Sequence, residues 1–166
     1  MKALEWIDKL SDFIAKIGGF LVIGLVSVIC YDVFARYLFR NPTSWAYDTA
    51  LHFYAISYLI AGGWVLKERA HVKVDVIYNR FTPRTRSVIN LILYLLFLFP
   101  LCYYFIKHGL NYSIHSFQIA EVSRSSPLHE PIWPLKMFIP LGFILLGLQG
   151  IVELCRDVKI LKEGKS

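Results

Sequence analysis

A chain of 166 residues has the length of one domain, but 56% of it is hydrophobic and its mean hydropathy of +0.50 lies well above that of a soluble domain. A soluble helical bundle is excluded, because its solvated faces need more charge than the apolar stretches of this chain carry. The formal charge of +6 comes without a basic stripe interleaved with aromatics, so it points to no nucleic-acid partner.

Four windows hold no Asp, Glu, Lys or Arg: Ile17–Tyr31, Thr49–Leu66, Ser87–Ile106 and Met137–Val152. A helix needs about 20 mainly apolar residues to cross a bilayer core. The two shorter windows reach that length with their flanks, Phe13–Phe34 and Trp133–Val152. The predicted fold is all-α: one transmembrane domain over 1–166 with spans at about 13–34, 46–66, 83–106 and 133–154. Lys16, Asp32 and Lys136 then fall near span ends, where long side chains reach the interface. No small-residue cleavage site follows the first window, so it is expected to stay in the mature protein.

Ahead of the first span, Leu4, Ile7, Leu10, Ile14 and Ile17 recur at helical spacing. The charged residues among them lie mostly on other faces. This pattern predicts an amphipathic interfacial N-terminal helix with a bend at Gly18-Gly19. A first span that simply projects into the cytoplasm fits it equally well. In the loop that follows, Asn41-Pro42 breaks helix, and Thr43 or Ser44 is expected to cap the next one. Asp32 and Arg36 stand four apart in the favoured order. Trp45 and Tyr47 suit an aromatic belt, and Asp48 suits the first turn of a helix.

The second span carries small residues at Ala46, Ala50, Ser57 and Ala61, all on one face, which predicts close helix packing. Between spans two and three, Val74, Ile77, Tyr78 and Phe81 share a helical face, so a short cytoplasmic helix is expected there. His71 and Asp75 are too few for a metal site and are read as capping or partner contacts. Thr82-Pro83 has the form of a cap followed by a first-turn proline. Pro100 predicts a kink in the third span. The stretch Lys107–Lys136 is long for a connection, and Leu110, Ile114 and Phe117 continue a helical face into it. Its charged residues, Glu121, Arg124 and Glu130, are candidates for a docking contact, with Arg124 beside the turn Ser125-Ser126-Pro127; an internal bond from Arg124 to Glu121, three residues earlier, is the alternative reading.

Lys and Arg number thirteen in the N-terminal tail, the middle loop and the C-terminal tail, against five in the other two loops. That bias puts both termini in the cytoplasm. Cys30, Cys102 and Cys155 have no paired spacing, and core packing accounts for them. No charged residue lies mid-span, no matched pair of broken spans occurs, and no catalytic or metal-ligating arrangement is present. The chain therefore reads as a non-catalytic subunit without a solute pathway of its own. His52 with His108 or His115 leaves open a haem-holding anchor of a redox, b-type cytochrome-like complex. A free-standing small transporter is a third reading.

Arg36-Tyr37-Leu38-Phe39, Asn41-Pro42, Ser44-Trp45, Asp48, Gly62-Gly63 and His71-Val72-Lys73-Val74-Asp75 together resemble the small membrane subunit (DctQ-like) of tripartite ATP-independent periplasmic (TRAP) transporters. Where that family often has Glu-Glu after its Trp, Ala46-Tyr47-Asp48 stands here. Arg124-Ser125-Ser126-Pro127, Pro131-Ile132-Trp133-Pro134-Leu135-Lys136 and Ile139-Pro140-Leu141-Gly142 are similar to the branch labelled mannitol/chloroaromatic-type. The resemblance implies a bacterial or archaeal inner-membrane protein without a cofactor of its own. It implies a large membrane subunit that carries solute and sodium, a periplasmic solute-binding protein, and a scaffold role for this chain. Arg36, Tyr37, Pro42, Trp45, Asp48, His71 and Asp75 would be partner or structural positions.

Overall fold

A computed structural model describes residues 2–41, 43–68, 81–123 and 130–163. Among them the chain forms α1 (Lys2–Leu38), α2 (Ala46–Lys67), α3 (Pro83–Leu93), a π-helical turn at Tyr94–Leu98, α4 (Phe99–Gln118) and α5 (Trp133–Glu163). The third span is thus one continuous rod of α3, the π-turn and α4. Four helices are long and apolar enough to cross a membrane.

The helices pack as an open row. α1 lies on α2, α2 on α5, and the α3–α4 rod on the other side of α5, with a smaller contact between α1 and α5. A row buries less than a globule. The chain exposes 11412 Å², whereas a compact soluble chain of 19.2 kDa exposes about 8,400 Å². Large apolar side chains cover the outside, while Gln149, Glu153, Asp157 and Asp48 are among the most deeply buried. That inversion suits a lipid solvent, in which apolar surface costs nothing and polar groups must find partners inside the protein. α2 and α5 approach closely at Gly142, where an added Cβ would come within 2.6 Å of the Leu59 carbonyl oxygen. Only glycine fits there.

α1 runs without interruption through Gly18-Gly19, so the expected separate interfacial helix is not set off from the first span. At 1.5 Å per residue α1 is about 55 Å long, well beyond a hydrocarbon core of about 30 Å. Its polar positions near the N-terminus face other helices, as described below, which holds the extension straight. The expected cytoplasmic helix near 74–81 lies, but for Phe81, outside the described residues.

Local signals were met in part. Thr82 caps α3 by accepting a hydrogen bond from the Thr85 amide at 3.4 Å, with proline in the first turn. α2 is instead preceded by Trp45, with no side-chain cap. Thr43 turns back, donating its amide to Asp32 Oδ1 at 3.2 Å. The irregularity expected near Pro100 takes the form of the π-turn, where the Phe99 amide reaches the Tyr94 carbonyl. A proline cannot donate to the carbonyl four residues back and clashes with it, and a wider turn relieves both. α4 continues to Gln118, so much of the long outer stretch is helix.

At the end of the row opposite the N-terminus, α1 and α4 stop in the same way. Arg40 (φ 49°) and Ala120 (φ 47°) adopt the left-handed conformation, and the next amide returns to the helix: Asn41 to Ala35 at 3.2 Å, Glu121 to Ser116 at 3.0 Å. At α4 the return spans five residues, the Schellman closure usually built on glycine; at α1 it is one residue wider. Beyond α4, Val122 and Pro131 form an antiparallel bridge. The Ser123 amide donates to Glu130 at 2.8 Å and the Ile132 amide to Glu121 at 3.1 Å. Both ends of the intervening segment are thereby pinned together.

Candidate functional site

Two polar networks occupy the two ends of the row. The first lies at the end shared by the start of α1, the end of α2, the start of α3 and the end of α5. Each helix contributes to it. Gln149 of α5, wholly buried, accepts from Ser11 Oγ at 2.8 Å and donates through Nε2 to Asp8 Oδ1 at 3.0 Å. Arg156 pairs with Asp8 on α1 and with Glu153 one turn back. Lys67 at the end of α2 pairs with Asp12. Asp157 accepts from Ser87 Oγ at 3.2 Å and from Asn90 Nδ2 at 3.1 Å. Glu153 and Asp157 are both 0% exposed, and each has further interactions. Buried carboxylates of this kind persist only when charge partners and donors surround them.

None of these residues was singled out from sequence. Gln149, Glu153 and Arg156-Asp157 recur at intervals of four and three or four, which marks one face of α5. That polar stripe on an otherwise apolar helix was the available signal. Their partners stand up to 148 positions away, beyond any local pattern.

The second network is built from shorter reaches. Arg36 donates to Asp32 Oδ2 at 2.8 Å, as its spacing predicted. Trp45 stacks on Tyr31 with ring centroids 5.8 Å apart. Tyr37 is exposed. Glu121 accepts from Ser116 Oγ at 2.7 Å and pairs with Lys136. Lys136 also lies 3.9 Å over the Tyr112 ring. The sequence placed Lys136 at a span end reaching for the interface, but it is buried and turned inward, since a carboxylate and an aromatic face together replace its hydration. Glu130 takes part through its carbonyl, which accepts the Ser123 amide.

Asp48 is the anomaly of this end. It is 2% exposed and sits in the first turn of α2. Ser123 Oγ approaches its Oδ1 at 3.5 Å, the outer limit of a hydrogen bond. Its Oδ2 is buried with no hydrogen-bond partner among the described residues. Asp48 does not hold His52 by its carboxylate; the His52 Nδ1 instead meets the Asp48 carbonyl oxygen at 2.7 Å. His108 packs on the Tyr104 ring at 4.4 Å.

The small residues of α2 fall on two seams. Ser57 is buried against α1, its carbonyl oxygen 3.8 Å from where a Cβ on Gly18 would stand. Ala50 lines a groove on the α1 side and Ala61 one on the α5 side. Pro42, His71, Asp75 and Arg124 lie outside the described residues. Of the three free cysteines, Cys102 is buried while Cys30 and Cys155 are exposed. No group of three His, Cys, Asp or Glu able to hold a metal occurs among the described residues.

The arrangement can bolt helices together and position loops; its polar atoms are spent on one another. The chain is similar to the C4-dicarboxylate TRAP transporter small permease protein DctQ of Vibrio cholerae, 26% identical over 92 residues, which is 53% of this chain and 40% of the relative. The chain thus matches less than half the length of that relative. Residues 25–160 match the family described as tripartite ATP-independent periplasmic transporters, DctQ component, a transporter component rather than an enzyme family. The four apolar helices and this match over most of the sequence make the chain a multi-pass membrane protein that belongs to the DctQ family.

Proposed function

We propose that this chain is the small, scaffold subunit of a sodium-coupled, binding-protein-dependent TRAP importer for an organic acid or related small solute. The family match over residues 25–160 carries the reading. In it, a large membrane subunit moves solute and sodium, a periplasmic binding protein delivers the solute, and this chain holds the large subunit in place. The inward-facing polar networks support it, since they leave the spans apolar outside and supply no pore lining. The organic-acid class rests on the printed name of the Vibrio cholerae relative; the mannitol/chloroaromatic-type branch is the finer assignment made from 124–142. Charge bias places both termini in the cytoplasm and the loop of Arg124 and Glu130 in the periplasm, facing the binding protein.

The redox-anchor reading is not favoured, because the family is a transporter component. Reconstitution tests the proposal. Vesicles holding this chain, its large subunit and the binding protein should accumulate labelled organic acid under an inward sodium gradient, and vesicles lacking this chain should not. Uptake that is equal with and without the chain, or a haem absorbance in the purified protein, overturns it. In intact cells of a cysteine-free background, an impermeant thiol reagent should reach position 119 and not position 84. The reverse pattern inverts the orientation.

A further inference from the structure

One face of α2 is at odds with a lipid surrounding. Tyr47, Leu51, Tyr54 and Tyr58 follow one another at intervals of four, three and four, which makes a single ridge along the helix. All four are exposed, Tyr54 to 58% and Tyr58 to 73%. Tyr54 and Tyr58 stack with ring centroids 6.3 Å apart. Residue 56 is near the middle of α2 (Ala46–Lys67), so these two phenols flank the centre of a span. Tyrosine is at home at the membrane interface, where its hydroxyl is wet. At mid-depth there is no water, and acyl chains offer no acceptor. Neither hydroxyl has a hydrogen-bond partner among the described residues. The exposed tyrosines of α1 and α4 differ. Tyr31 and Tyr37 lie in the last turns of α1, and Tyr103 and Tyr104 lie near Lys107 and His108.

A second observation concerns shape. The ridge stands between two mainly apolar grooves, the first of them lined in part by the Asp32–Arg36 pair. One, of about 370 Å³, runs between α1 and α2 over Ala50 and Ile29. The other, of about 300 Å³, runs between α2 and α5 over Ala61, Gly62 and Leu146. A ridge flanked by grooves floored with small residues is what ridges-into-grooves packing of a further helix requires.

Resting on the subunit reading above, we infer that the tyrosine ridge of α2, with its two grooves, is the face that receives transmembrane helices of the large subunit, and that those helices supply hydrogen-bond acceptors to Tyr54 and Tyr58 at mid-membrane. The partner's chemistry follows from what is missing: small residues to enter the grooves, and a carbonyl, hydroxyl or amide oxygen at the depth of the phenols. Lipid alone satisfies the grooves but not the hydroxyls. A second copy of this chain would bring phenol oxygens that accept as well as donate, and a self-adduct in the test below is its signature.

Photocrosslinking in membranes containing this chain and its large subunit tests the inference. Benzoylphenylalanine at position 54 or 58 should form adducts with the large subunit, and at positions 20 and 97, exposed apolar sites on other faces, it should not. Tyr54→Phe and Tyr58→Phe keep the rings and remove only the donors. Each should weaken the purified complex about threefold, the usual worth of a hydrogen bond between membrane helices. Adducts from 20 or 97 but not from 54 or 58 overturn the inference while leaving the subunit reading intact. So does a self-adduct from 58, or a complex unchanged by both Phe substitutions. If the large subunit fails to co-purify with the unaltered chain, the subunit reading itself falls and takes the inference with it.

Discussion

The two ends of the row are held by the same kinds of residue used in different ways. At the N-terminal end four helices converge, and Arg156, Gln149 and Asp157 join residues from distant parts of the chain. At the opposite end most bonds are local. Arg36 reaches back one turn, and Glu121 holds Lys136 across a pinned loop. One end fixes the helices to each other; the other fixes the connections between them. Asp48, with an unmet oxygen, belongs to the second end.

The largest expected effect breaks the convergent end. Arg156→Leu leaves Asp8 and the fully buried Glu153 without their shared cation. Removing one partner of a buried pair costs about 3–5 kcal/mol; Arg156 is itself 40% exposed, so about 2–3 kcal/mol is expected here. Thermal melting of the purified protein in detergent measures it. A melting temperature unchanged from the parent would show that the network does not bind the helices.

Asp48→Asn sharpens the contrast at the other end. The substitution keeps the shape and removes a buried charge that has only one distant donor. Stability should hold or rise by about 1 kcal/mol. A fall of comparable size would mean that the carboxylate meets a donor the described residues do not supply. The smallest effect concerns the closure of α4. Ala120 carries a side chain at a φ of 47°, where glycine is unstrained. Ala120→Gly should therefore stabilise the chain by up to about 1 kcal/mol, less the extra backbone freedom glycine gains when unfolded. Chemical denaturation in mixed micelles would detect the shift. A loss instead would show that the Ala120 methyl group packs usefully.

What was legible in the sequence divides along the same line. Spans are written in runs of about twenty apolar residues, and the Thr82-Pro83 cap within two positions, so both could be read locally. The Asp32–Arg36 pair is equally local. The convergent network was not legible, because Asp8, Ser87 and Asp157 each look like an ordinary flanking polar residue until the fold brings them together. Asp48 was read as a partner for the helix terminus, which its position in the first turn supports. Its burial beneath Ser123, 75 positions away, depends on the bridge between Val122 and Pro131. Of the two readings of the N-terminal stretch, the separate interfacial helix is not what α1 shows: it runs on from the span, and its polar positions Asp8 and Ser11 meet Gln149 and Arg156.

The place of α5 in the row has a consequence for biosynthesis. α5 contacts every other helix, yet it is the last of the four to leave the ribosome. The hairpin of α1 and α2 can close early, with Lys67 already able to meet Asp12. Asp8, Ser11, Ser87 and Asn90 must wait in the bilayer or at its edge for Gln149, Arg156 and Asp157 to arrive. The chain is therefore most vulnerable to membrane quality-control proteases in the interval before α5 inserts. A nascent chain halted after α4 should be degraded as an orphan even though three of its spans are already in the membrane.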